Sequence, residues 1–269
     1  MSVEQAYAHC EAEARAGARD RWLGSLFAPP QRRRHLHALI AFELEMSRLR
    51  PSVRDPRAGE IRLVWWREAL TGERASEAQG NPVTAAMLDT LEQVRPPPHL
   101  IANAIVGRQF DLYDDPFPAI VDLEAYLGET RSGLIQIAAL SLGEGRDQGS
   151  AEASGLAGVA LGLVELLRGG PRPLSFAPSD LLARHGLTSE AFREARASPG
   201  REAARAELVA FARRRLAEAE AARAKLPKAL APAYAGLATA PLWLKAIERG
   251  TEPAAWRRQW ALWRWSRRA

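Results

Sequence analysis

Apolar residues along this chain recur at steps of three and four and almost never alternate. Between residues 38 and 53, Leu39, Phe42, Met46, Leu49 and Val53 fall on one helical stripe. A second column of Glu43, Ser47 and Arg50 runs beside it. The pattern predicts helices over about 3–17, 30–50, 59–71, 82–94 and 97–113. Local chemistry marks their ends. Asn81 and Pro82 supply an N-cap and a first-turn proline, Gly72 stops the third helix, and Pro96, Pro97 and Pro98 cannot be crossed. Asp122 caps the next helix, which runs to Leu142 and is mostly apolar, hence buried, from Ser132 onward. The stretch 149–168 carries small residues all round and should pack closely on its neighbours. A break at "GGPRP" precedes a short helix. Residues 188–225 read as a charged hairpin, or as one long helix interrupted near "SPG". Helices over 228–248 and 253–266 complete the count. No run of alternating β-branched residues and no Asn-Gly turn suggests a strand. The expectation is an all-α bundle in one domain, residues 1–269. Short loops place neighbouring helices antiparallel, and 253–269 forms a distinct C-terminal segment.

Composition narrows the setting. No uncharged apolar run of about 18 residues occurs, so no membrane-spanning helix is expected. The first 22 residues alternate acids and arginines without the apolar stretch of a signal peptide, which points to the cytosol. The single cysteine, Cys10, excludes an intramolecular disulfide and a cysteine zinc site. His35 and His37 stand two apart and cannot share a helical face. The formal charge of +5 is modest, but only three of the 37 basic residues are lysines, and the excess gathers at the C-terminus.

Three groups of residues carry candidate chemistry. The last 14 residues hold four of the eight tryptophans and five arginines. Trp256, Trp260 and Trp263 share a face, while arginines including Arg257 and Arg264 lie mostly elsewhere around the helix. Such a helix suits a membrane interface, with rings at headgroup level and cations toward anionic lipid. It equally suits a terminal helix docked on the domain by its tryptophans. Nothing else supports nucleic-acid binding, and none is expected. Asp111, Asp114 and Asp115 form an acidic cluster at i, i+3 and i+4, a weak metal candidate because Pro116 ends the helix there. Glu43, Glu45, Arg48 and Arg50 read either as intrahelix pairs or, for Glu43 and Arg50, as polar residues facing a cavity.

Several segments in order resemble the squalene/phytoene synthase family: 20–42, "GEIRLVWWREALTG", "NPVTAAMLDTL", "DLEAYLGETRSGLIQIAALSLG", and "GVALGLVELLR" with "PSDLLARHGL". The resemblance implies an all-α fold around a central cavity. In active members two aspartate motifs face each other there and hold magnesium, which neutralises a diphosphate leaving group. At the first motif this chain has Ser47, Arg48 and Pro51, and at the second Gly169 and Pro173. No carboxylate stands at any of these positions. Glu43 and Glu165 remain nearby as cavity candidates.

A branch of the family lacks both motifs, and it includes an assembly factor of mitochondrial respiratory complex I and bacterial relatives. "GEIRLVWWREAL", "RQFDLYDDPFP" and the arginine-tryptophan tail resemble that branch. The resemblance implies a non-catalytic protein without a cofactor. It would bind an isoprenoid or lipid, lie in the cytoplasm against the inner membrane, and contact a respiratory complex subunit. The competing expectation is an active head-to-head prenyltransferase that holds magnesium on displaced ligands.

Overall fold

The helical periodicity is realised throughout the residues that the computed structural model describes, 1–113, 115–169, 176–194 and 198–268. No strand occurs among them. The first half contains α1 (Val3–Gly17), α2 (Arg19–Ser25), α3 (Pro30–Ser52), α4 (Pro56–Thr71), α5 (Ala75–Ala78), α6 (Pro82–Val94) and α7 (Pro98–Val106). A 3-10 turn, Gly107–Leu112, follows. Next come α8 (Ile120–Leu127), a π turn (Gly128–Ser132), α9 (Gly133–Leu142) and α10 (Ala151–Leu167). The remainder comprises α11 (Ser179–Arg184), α12 (Ser189–Arg193), α13 (Pro199–Arg223), a 3-10 turn (Lys228–Tyr234), α14 (Gly236–Glu248) and α15 (Ala255–Arg268).

The caps expected at Asn81 and Gly72 are in place, whereas Asp122 lies within the first turn of α8, where its side chain accepts from the Ala119 N–H. The Asn81 side chain accepts from the Val83 and Thr84 N–H groups, and Gly72 leaves α4 at φ 93°. Ser2 and Gln5 close a capping box on α1. The interruption expected near "SPG" is present, with the Ser198 side chain capping α13 by accepting from the Arg201 N–H. Three departures have local causes. The short α2 escapes a periodicity reading because Arg19, Asp20 and Arg21 interrupt its apolar residues. The helix expected over 97–113 tightens at Gly107, where an added Cβ would lie 2.8 Å from Thr130 Cγ2. Pro232 sits in a 3-10 turn, so α14 starts only at Gly236.

The α3 stripe forms the centre of the core. Leu39, Phe42, Met46 and Leu49 are all buried, and α3 lies against α1, α6 and α9. Trp66 of α4 is buried and meets Phe42 edge-on at 5.4 Å. Opposite, α10 packs on α13, α14 and the π turn. That last approach is at backbone contact. A Cβ on Gly158 would come within 2.6 Å of the Ser132 backbone nitrogen, and Ser132 Oγ donates to the Gly155 carbonyl at 3.0 Å. The small residues of α10 are therefore a packing requirement.

A buried polar cluster joins α1, α3 and α6. Tyr7 donates to Asp89 at 2.6 Å, and its hydroxyl lies 3.0 Å from both His35 Nδ1 and Thr90 Oγ1. Burial pushes His35 down to about 4, with Arg34 adding to the shift and Asp89 opposing it. Burial likewise lowers His37. The unfolded chain thus takes up these protons near pH 6.5, before the folded chain does. Stability should fall as pH drops from about 6.5 toward 4. His35→Asn keeps an acceptor but cannot be protonated. Urea midpoints at pH 7 and pH 4.5 should show its acid loss smaller than the native chain's by about 2 kcal/mol. His37 keeps the remaining slope above zero.

Gly158→Ala provides a second check. Helix propensity alone favours alanine by about 1 kcal/mol. The clash with Ser132 should reverse that sign and destabilise the chain by about 1–3 kcal/mol in urea titration.

Candidate functional site

An apolar cavity of about 140 Å³ lies between α2, α3, α9, α10 and α14. Leu39, Ile40, Leu134, Ile135, Leu161 and Val164 are among its walls. A wider polar space of about 530 Å³ adjoins it, lined by Arg19, Ser47, Gly169, Arg205 and Arg258 among others. Six residues line both: Asp20, Arg21, Glu43, Glu165, Arg168 and Trp243. They form the rim between an apolar interior and an arginine-rich mouth. The inner space resembles in size a cavity that takes one benzene ring, about 150 Å³, so a longer chain needs both spaces.

The rim is organised by a chain of ion pairs across four elements. Arg21 of α2 meets Glu43 Oε2 at 2.6 Å, and Arg131 of the π turn meets Glu43 Oε1 at 2.6 Å. Arg131 also reaches Glu165 of α10 at 2.8 Å. Burial opposes ionisation of Glu43, yet Arg21, Arg131 and Arg108 outweigh it and hold its carboxyl well below the usual range. Burial also opposes the charge on Arg131, and Glu165 and Glu43 restore it. The π turn directs Arg131 inward, and Gly162 makes room, since a Cβ there would lie 2.9 Å from Arg131 Cδ. Behind it Arg108 is fully buried, donating to Asp111 at 3.2 Å, while Tyr126 donates to Asp111 at 2.6 Å. Arg108 Nε and Nη2 have no partner among the described residues.

The predicted residues separate into several environments. Glu43 and Glu165 come together on the rim, joined through Arg131. Ser47 is at the mouth, its hydroxyl donating to the Leu44 carbonyl at 2.8 Å. Arg48 turns to α1, pairing with Glu13 at 2.6 Å and with Glu45 at 3.4 Å. Of the helix-surface pairs read from the sequence, Glu45–Arg48 is therefore real, whereas Glu43 pairs across helices. Arg50 is half-buried and lies outside the lining of both spaces. Pro51 is exposed in the last turn of α3, and Gly169 ends α10 at φ 91°. Pro173 and Asp114 lie outside the described residues. Asp111 is a buried ion-pair partner of Arg108, and Asp115 is exposed beyond the turn. Trp256, Trp260 and Trp263 are exposed on α15, as are Arg257 and Arg264.

Arg21, Arg108, Arg131 and Asp20 were not singled out in the sequence. One signal was present for Arg131: it directly precedes the run read as buried from Ser132 onward, and a buried guanidinium requires a carboxylate elsewhere.

The residues present do not fit a magnesium cluster. Ser47, Arg48, Pro51 and Gly169 offer no carboxylate, and Glu43 and Glu165 already share a guanidinium. Among the described residues no group of three His, Cys, Asp or Glu is placed to hold a metal.

Helices arranged around a cavity with a polar rim define an all-α isoprenoid-synthase fold. A dehydrosqualene synthase crystallised with ligand superposes with TM-score 0.80 at 16% identity, covering 98% of this chain and 96% of that one. Squalene synthase HpnC from Alicyclobacillus acidocaldarius gives 0.73 at 20% identity, covering 92% and 95%. The squalene/phytoene synthase profile matches residues 14–264, and the chain belongs to that family. Among curated relatives, the rat "NADH dehydrogenase (ubiquinone) complex I, assembly factor 6" is 24% identical over 92% of this chain and 75% of its own length. The human protein of that name is 26% identical over 64% of this chain and 52% of its own length. A 15-cis-phytoene synthase from Synechocystis is 30% identical over 55% of this chain and 44% of its own.

Removing one member of the ion-pair chain should expose its cost. Arg131→Met leaves Glu43 buried with Arg21 alone and should destabilise by about 3–5 kcal/mol. Glu43→Gln combined with Arg131→Met should cost less than the sum of the two single changes. Equilibrium unfolding of all three variants measures this coupling.

Proposed function

We propose that this chain holds an isoprenoid or other lipid without transforming it and needs no magnesium or other cofactor. The single observation that carries this reading is the Arg131 guanidinium bridging Glu43 and Glu165. Diphosphate leaves readily only when metal-bound carboxylates neutralise its charge. Here the remaining carboxylates neutralise an arginine instead. The apolar interior suits the end of a hydrocarbon chain, the rest of which would extend into the mouth, where arginines suit an anionic head.

The setting is a membrane surface, with the chain cytoplasmic and peripheral on the inner membrane. None of the described helices is long and apolar enough to span one, which favours surface contact over insertion by these helices. The relatives named as complex I assembly factors support a part in building a respiratory complex, with one of its subunits as partner. The competing reading is a magnesium-dependent head-to-head prenyltransferase. It draws on the phytoene synthase relative and on the proximity of Glu43 to Glu165.

Pure protein incubated with farnesyl or geranylgeranyl diphosphate and magnesium distinguishes the two. The expected result is saturable binding with no release of diphosphate. Ile135→Trp, which fills the cavity, should weaken binding at least about tenfold, as expected when an apolar chain loses its pocket. Magnesium-dependent diphosphate release that Glu43→Gln abolishes would establish the enzyme instead.

A further inference from the structure

We propose that α15 docks the chain on an anionic lipid bilayer and thereby sets the cavity mouth beside the lipid, so that the ligand loads from the bilayer. The loading route rests on the ligand-holding reading above; the docking surface does not.

The helix has two faces with separate duties. Its inner face is anchored. Leu262 is buried, and Arg258 meets both Asp20 oxygens at 2.8 Å while lying over the Trp243 ring at 5.1 Å. Trp265 is half-buried, with the Arg223 guanidinium 5.2 Å from its ring. The outer face presents Trp256, Trp260 and Trp263, which are 65%, 53% and 44% exposed. Trp260 and Trp263 stack at 4.8 Å, Arg257 lies over Trp256 at 5.3 Å, and Arg267 over Trp263 at 5.2 Å. The domain is thus fastened by Arg258, Leu262 and Trp265, and packing leaves the other three indoles unused. Exposed indoles on one helix form an interaction surface.

Charge identifies the occupant. Residues 255–268 contain five arginines and no acid. An acidic protein groove would match the cations, but indoles flanked by arginines on a helix lying along a surface match the headgroup layer of an anionic bilayer.

The anchor is also the wall of the mouth. Asp20 and Trp243 line both spaces, and Arg258 lines the outer one. On the rim Arg168 lies 3.2 Å over the Trp243 ring, with Glu165 and Asp20 acting on its charge through space. A bilayer held by α15 therefore stands next to a guanidinium suited to an anionic head and to an apolar cavity suited to the end of a single chain. The ligand class is a single-chain lipid with a phosphate-type head.

The test uses the full chain. It should float with phosphatidylcholine vesicles containing phosphatidylglycerol, and not with phosphatidylcholine alone. Trp256→Ser/Trp260→Ser/Trp263→Ser should keep its thermal midpoint and weaken flotation at least about tenfold. Arg264→Glu should weaken it at least about fivefold. A fluorescent prenyl monophosphate is then offered embedded in those vesicles or dissolved in buffer. The triple variant should lose uptake from vesicles and keep uptake from solution. Flotation by the triple variant equal to native would overturn the docking surface, as would equal binding to neutral vesicles or retention on RNA with no flotation. Equal vesicle uptake by both forms, despite weaker flotation of the variant, would overturn the loading route. Native flotation without probe uptake from either source would sink the ligand-holding reading and the route with it, while supporting the docking helix.

Discussion

The arrangement of the site depends on one buried cation. Arg131 projects from a π turn into the helical bundle, where a lone guanidinium carries a large desolvation cost. It is tolerable only with carboxylates in contact, and Glu43 and Glu165 supply them, both at its Nη1. Arg21 then balances the second oxygen of Glu43. Four separate segments, α2, α3, the π turn and α10, are thereby held in one relation around the cavity mouth. Gly158 and Gly162 belong to the same constraint, because α10 must come close enough for Glu165 to reach while leaving space for the Arg131 stem.

This constraint also decides what chemistry the rim supports. A carboxylate whose oxygens are 2.6 Å from two guanidiniums has little free capacity for a divalent ion. The cation that Glu43 and Glu165 contact belongs to the chain itself, and the outer arginines Arg19, Arg168 and Arg205 line the mouth beyond it.

Much of this was readable before any coordinates. The three-four spacing of Leu39, Phe42, Met46 and Leu49 gave the face of α3, because a helix buried on one side must repeat at that period. Ser47, Arg48, Pro51 and Gly169 showed that the motif positions carry no carboxylate, the charged ligand that would balance a magnesium ion. Partner identities were less accessible. Glu43 shares a helical column with Arg50, yet it pairs with residues 22 positions before and 88 after it. Column membership fixes direction over about a turn but says nothing about which distant segment arrives there. The π turn was invisible for a related reason. One inserted residue in a helix leaves the composition of "GETRSG" unchanged while rotating every side chain that follows.

Asp20 joins the two halves of the functional argument. It lines the cavity, accepts from Arg258 of α15 and lies 3.4 Å from the Trp243 indole nitrogen. Trp243 in turn carries Arg168 on one side and Arg258 within cation–π range. The C-terminal helix, the mouth and the cavity wall therefore share a single set of contacts. A helix that merely completed the bundle would gain most by turning its tryptophans inward, because each indole buries a large apolar area. α15 instead spends one leucine, one tryptophan and one ion pair on the domain and leaves three indoles outside. That division leaves an exposed indole face on α15 directly behind the contacts that anchor it at the cavity mouth, and this is the face proposed to meet the bilayer.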